Sequence, residues 1–94
     1  MSDSPLRLRP GVVAQSIQGE MLLLDTEAGS YFDLNPSGTL MLEGLLAGQG
    51  FDEVIARVLQ QFEAEGARVR ADLLTLLAAL RAARLVEDGP QPPA

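Results

Sequence analysis

A chain of 94 residues is one domain with one modest core, since folding at this length hides roughly 60 to 70% of the unfolded surface. The composition is 47% hydrophobic, with 17 leucines, 12 alanines and four aromatic residues, Tyr31, Phe32, Phe51 and Phe62, which describes a leucine-packed globule and not a disordered chain. Cysteine and histidine are absent, and seven arginines without a lysine stand against 13 acids for a net charge of −6. These counts exclude disulfides, thiolate and imidazole metal sites, and adsorption to nucleic acid or anionic lipid by bulk charge.

Residues 1–11 are polar or carry Pro5, Pro10 and Gly11, and are expected to form a flexible lead-in. Residues 88–94 are proline-rich and expected to form a disordered tail, leaving 12–87 as the folded domain. No apolar run approaches the roughly 20 residues of a membrane span, and the N-terminus lacks a signal-peptide pattern, so the expected location is cytoplasmic. Val12 to Ile17 is rich in β-branched residues, Gln18-Gly19 is a turn, and Glu20 to Asp25 carries the run Met21-Leu22-Leu23-Leu24; together they predict a β-hairpin. A second turn, Thr26 to Gly29, leads to Ser30-Tyr31-Phe32-Asp33-Leu34. The period of two in that strand places Tyr31 and Asp33 on one face and Phe32 and Leu34 on the other.

The period then lengthens. Asn35 suits an N-cap and Pro36 the first helical position, so a short helix is predicted through Leu40, Met41, Leu45 and Leu46, ended by Gly48 and Gly50. Phe51, Val54, Ile55, Val58, Leu59 and Phe62 recur at helical spacing with polar residues between them, predicting a second helix closed by Gly66. A third helix is predicted from about Val69 to Ala83, with Val69, Leu73, Leu76, Leu77 and Leu80 as its core stripe. Leu74 lies off that stripe beside Arg70, Ala78 and Arg81; this flank is either the margin of a wide core face or the wall of a groove. The expected fold class is α+β, a three-stranded antiparallel sheet followed by three helices.

Few kinds of chemistry fit this inventory. The hydroxyls have no histidine or lysine to activate them, the carboxylates fall in turns and on solvated helix faces, and Gly44, Gly48 and Gly50 lack the strand-then-helix context and the lysine of a phosphate loop. An enzyme is therefore not expected, nor a cofactor or metal. Four arginines, Arg68, Arg70, Arg81 and Arg84, gather on the last helix, and strands with a helical trio also occur in winged-helix nucleic-acid binders. The acidic strand turns and Asp72 argue against that reading, and solvated arginines lying along the helix account for the cluster. Binding by shape is left. The strand Ser30 to Leu34 has neither the lysine nor the proline that guards a sheet edge, so it either accepts an extended peptide by backbone pairing or is covered by its own helix.

The stretches Gly19-Glu20-Met21-Leu22-Leu23-Leu24-Asp25 and Gly29-Ser30-Tyr31-Phe32-Asp33-Leu34-Asn35-Pro36-Ser37-Gly38 resemble the PqqD-like family of precursor-peptide recognition domains. Gly48 with Phe51-Asp52-Glu53-Val54, and Asp72-Leu73 with Leu76-Leu77, Leu80 and Leu85-Val86-Glu87, resemble that family's later helices, so the likeness runs over about residues 12 to 87. Many relatives carry a large aromatic residue in the first helix, where this chain has Met41 or Leu42. The resemblance implies a winged helix-turn-helix-like fold that does not bind DNA. It also implies that the leader segment of a ribosomally made precursor peptide adds to the strand Ser30, Tyr31, Phe32, Asp33, Leu34 and lies against the third helix. There Arg70, Leu74, Leu77, Ala78 and Arg81 are the candidate contacts. The implied partners are that leader and a separate leader peptidase or other modifying enzyme, with no membrane and no nucleic acid. Within the family the wording from Asp25 to Leu34 looks most like the recognition protein of lasso-peptide pathways. The peptide chaperone of the PQQ pathway, which serves a radical-SAM enzyme, is the close alternative.

Overall fold

The computed structural model describes residues 6–88. Its elements in chain order are strands β1 (Leu6–Leu8), β2 (Val12–Ile17), β3 (Glu20–Asp25) and β4 (Ser30–Leu34), helices α1 (Pro36–Leu46), α2 (Phe51–Gln61) and α3 (Gly66–Ala82), and strand β5 (Val86–Asp88). Strands β2, β3 and β4 form the expected antiparallel meander, in that order. Its first turn needs two residues in the left-handed region, and Gln18 at φ 53° and Gly19 at φ 81° supply them, the type I′ geometry whose twist matches the flanking strands. In the second, the Asp25 carboxylate accepts hydrogen bonds from the backbone N–H groups of Glu27 and Ala28 at 3.0 and 3.1 Å. The strand-ending aspartate is thus a turn former.

The backbone passes from β4 into α1 with one residue between. Asn35 caps the helix, its side-chain oxygen accepting from Gly38 N at 2.8 Å, and Pro36 occupies the first helical position. This direct junction holds the N-terminus of α1 against the end of β4. Thr39, 4% exposed, strengthens it: its hydroxyl accepts from Met21 N at 2.9 Å and donates to Leu34 O at 3.4 Å, and so sits between β3 and β4 where their ladder ends. The core lies between the inner sheet face and the helices, centred on Leu23, Leu42, Leu73 and Leu80, each 0% exposed.

Three expectations need correction. Part of the lead-in is structured: Leu6–Leu8 pairs antiparallel with Val86–Asp88, Leu6 and Val86 are buried, and Arg7 bridges Glu87 at 2.7 Å. The polar flanks and prolines hid a three-residue strand that has no pattern of its own and exists only because its partner, 80 positions on, is there to pair. Of the expected tail, Asp88 belongs to β5, and residues 89–94 lie outside the described residues, as do residues 1–5. Gly66 does not close α2 but opens α3. Helix α2 ends at Gln61, and Phe62 leaves it in extended backbone with its ring still packed against the core, so the apolar period outruns the helix. Phe51 and Leu59, which share the apolar period of α2, are exposed margins of its stripe.

Helix α3 ends with Arg84 in the left-handed conformation at φ 60°. There Leu85 N donates to Leu80 O and Arg84 N to Arg81 O, both at 3.0 Å, a Schellman closure. Arg9 N donates to Leu85 O and the Arg9 guanidinium to Arg84 O, so the helix end is tied to the β1–β2 connection.

Candidate functional site

Strand β4 is an edge of its sheet, and its polarity follows from the register. Ile17 opposes Glu20 across a two-residue turn, which makes that pair hydrogen-bonded; by alternation Met21, Leu23 and Asp25 turn their peptide groups toward β4. The Thr39 hydroxyl lodged between Met21 N and Leu34 O agrees. Leu23 opposes Phe32 and Asp25 opposes Ser30, so Ser30, Phe32 and Leu34 face inward along the ladder. Tyr31 and Asp33 point their N–H and C=O groups away from the sheet. Those four groups are the open template.

Side chains alternate as the sequence predicted. Tyr31 is 67% exposed and Leu34 4%; Phe32 is half-buried against the core, while Ser30 and Asp33 are exposed. Beside the edge lies a cleft of about 420 Å³. Phe32, Asp33 and Leu34 form one side of it, and Asn35, Ser37, Gly38 and Met41 from the start of α1 form its end. The other wall is α3, through Arg68, Asp72, Thr75, Leu76 and Ala79. Apolar floor and small residues make room for side chains, and Asp33, Asp72 and Arg68 place charge at the rim; Arg68 pairs with Asp72 at 3.3 Å.

The α3 wall is not the flank the sequence pointed to. At about 100° per residue, the residues lining the cleft centre about 150° around the helix from Arg70, Leu74, Ala78 and Arg81. Those four do not border the cleft. Arg70 reaches α2 and pairs with Asp52 at 2.7 Å, Arg81 pairs with Asp88 of β5 at 2.9 Å, Leu74 is 50% exposed, and Leu77 is a core residue at 7%. A helical wheel gives two flanks on either side of the core stripe and does not say which adjoins a given strand. The short β4–α1 junction is the signal that chooses. It pins the start of α1 beside β4, so the wall must be the flank holding Leu76, whose Cδ2 lies 3.8 Å from where a Cβ on Gly38 would stand. Leu76, expected in the core, is instead half-buried at the cleft.

A small α+β domain with an open strand edge beside a helix-walled cleft has the architecture that holds an extended peptide by strand addition. The chain belongs to the PqqD family: the family described as Coenzyme PQQ synthesis protein D (PqqD) matches residues 20–86, as the resemblance implied. Two solved structures share its fold. One is TbiB1 in complex with the TbiA(beta) leader peptide, 26% identical, with a TM-score of 0.77 over 90% of this chain and 99% of that one. The other is a lasso peptide synthetase B1 complexed with the leader peptide, 27% identical, with a TM-score of 0.80 over 87% of this chain and 96% of that one. A comparison with curated proteins gives no match. No helix among the described residues is long and apolar enough to cross a membrane.

Proposed function

We propose that this protein is the leader-binding component of a lasso-peptide pathway: it holds the leader of a ribosomally made precursor as a fourth strand on β4 and presents it to a separate leader peptidase and cyclase, without catalysing a reaction or using a cofactor. One observation carries the reading. The outward N–H and C=O groups of Tyr31 and Asp33 run along the cleft against α3, so a peptide strand gains backbone bonds while its alternate side chains enter the cleft. Two fold relatives that are themselves leader complexes, each covering nearly the whole chain, support it over the PQQ-pathway alternative, which shares the family. The winged-helix reading loses support, because Arg68, Arg70 and Arg81 each sit with a carboxylate and the chain is net acidic.

The test is titration with synthetic leader peptides of lasso-peptide precursors, followed by amide exchange. The amides of Tyr31 and Asp33 are expected to gain strong protection in the complex. Protection confined to α2, with the β4 amides unchanged, refutes strand addition.

A further inference from the structure

The meander has a second open edge that the peptide site does not use. Strand β2 lies at the other end of the sheet from β4, and every residue from Val13 to Ile17 is exposed. Its polarity follows from the register that also fixes β4. Val13, Gln15 and Ile17 oppose Leu24, Leu22 and Glu20 as hydrogen-bonded pairs, so Val12, Ala14 and Ser16 turn their peptide groups away from the sheet. The Val12 N–H is already engaged, donating to Arg9 O at 3.0 Å. The N–H and C=O groups of Ala14 and Ser16 have no partner among the described residues. This edge is also unguarded. Val12–Ile17 holds no charge and no proline, and the small side chains of Ala14 and Ser16 leave it open to another strand. On the outer side of the strand Val13 is 51% exposed and Ile17 58%, with Gln15 midway between them.

We infer that β2 pairs with β2 of a second copy of this chain, antiparallel about a two-fold axis at Gln15, to make one continuous six-stranded sheet. The open groups choose that register. With Gln15 opposite its own counterpart, Ala14 and Ser16 of one copy oppose Ser16 and Ala14 of the other. Each of these two pairs exchanges two N–H···O=C bonds, so all the open groups are used. Val13 of each copy then opposes Ile17 of the other at non-hydrogen-bonded positions, where side chains stand closest, and apolar surface now exposed is covered. Centring the axis on Ala14 instead calls on the Val12 N–H that Arg9 already holds, leaves Ser16 C=O empty and sets Val13 against Gln15. Charge permits the pairing. Each copy carries −6, but the paired strands are neutral, so no like charges face each other across the axis. The inference is independent of the leader-binding reading, because β2 and β4 are opposite edges of the sheet. A dimer of this form keeps both β4 edges open, about five strand spacings or 24 Å apart.

The experiment is sedimentation equilibrium on the full chain from about 10 µM to about 1 mM, because a contact of this size is at the weak end of specific interfaces. The wild type is expected to pass from monomer to dimer over that range. Added salt is expected not to weaken the dimer, since it screens the repulsion between two acidic copies. Ala14→Pro removes an N–H that β3 does not use, and is expected to weaken the dimer about tenfold or more. Gln15→Lys and Gln15→Glu alter an exposed side chain and set like charges directly opposite, so each weakens the dimer about twofold to fivefold, and an equal mixture of the two restores it. The chain has no cysteine, so Gln15→Cys is expected to oxidise to a linked dimer faster than Val13→Cys, whose two copies stand about 13 Å apart along the strands. The inference is overturned by a wild type that stays monomeric to about 1 mM, by a dimer that Ala14→Pro and both Gln15 charge variants leave unchanged, or by equal cross-linking of the two cysteine variants. A dimer that leader peptide dissolves also overturns it, because the contact is then on β4. A dimer that behaves as expected in a protein that binds no leader leaves the β2 pairing standing and overturns the leader-binding reading instead.

Discussion

The two leucines on opposite flanks of α3 give the sharpest check on how the peptide lies. Leu76 borders the cleft and is half-buried; Leu74 is 50% exposed on the far side. Completing the burial of a leucine is worth about 1.5 to 3 kcal/mol for the whole side chain. The part of Leu76 still open to solvent, at most about a third, therefore supplies up to about 1 kcal/mol when a ligand covers it. Leu76→Ser is expected to weaken leader binding up to about fivefold by that amount, and to cost the fold about 1 to 3 kcal/mol for the larger part already packed. Leu74→Ser is expected to leave affinity unchanged. Isothermal titration with the leader, run well below the melting temperature of each variant, separates affinity from stability, and urea denaturation gives the second quantity. Weaker binding by Leu74→Ser with none by Leu76→Ser would place the peptide on the flank of Arg70 and Arg81 and refute the cleft assignment.

Tyr31→Ala is expected to reduce leader affinity with little change in melting temperature. Phe32→Ala is expected to lower stability, by less than the about 3 to 5 kcal/mol of a fully buried phenylalanine because its ring is only half-buried; reversed outcomes mean the strand faces are inverted. Thr39→Val keeps the shape but leaves the buried Met21 N–H without its 2.9 Å partner, and is expected to cost about 1 to 3 kcal/mol, read as a fall of about 4 to 8 °C in Tm per kcal/mol. An unchanged Tm would mean that Met21 N closes directly onto Leu34 O. Gly44→Ala places a Cβ 2.9 Å from Val54 Cγ2 and 2.7 Å from the Gln49 side-chain oxygen, and is expected to destabilise by about 1 to 3 kcal/mol as α1 and α2 are forced apart; thermal melts check it.

The elements legible in the sequence were those whose signal is local. The meander announced itself by Gln18-Gly19 and by the alternation at Tyr31–Leu34, and α1 by Asn35-Pro36, because turn chemistry and caps depend on residues a few positions apart. The two-stranded sheet of β1 and β5 was not legible. Leu6 is buried only because Val86 comes to meet it from the other end of the chain, and Arg7 becomes a strand residue through its pairing with Glu87. The α2 boundary failed for a related reason: Phe62 goes on serving the core after the helix has stopped, so hydrophobic period and helical hydrogen bonding part company.

The same division runs through the site. The half contributed by β4 could be read, since alternation fixes which side chains share a face and the absence of lysine and proline marks the edge as unguarded. The half contributed by α3 could not, since its periodicity defines a core stripe with two flanks that are equal until something breaks the symmetry. Arginine and an off-stripe leucine drew attention to the flank away from this cleft, where Arg70 and Arg81 pair with Asp52 and Asp88 of α2 and β5. What breaks the symmetry is the single residue between Leu34 and Pro36. A junction that short leaves α1 no freedom to start anywhere but at the end of β4, and α3, packed against α1, then has to offer that corner Thr75 with the half-buried Leu76 and Ala79. The cleft is thus fixed by connection length, a property of the chain that no residue-by-residue reading of α3 contains.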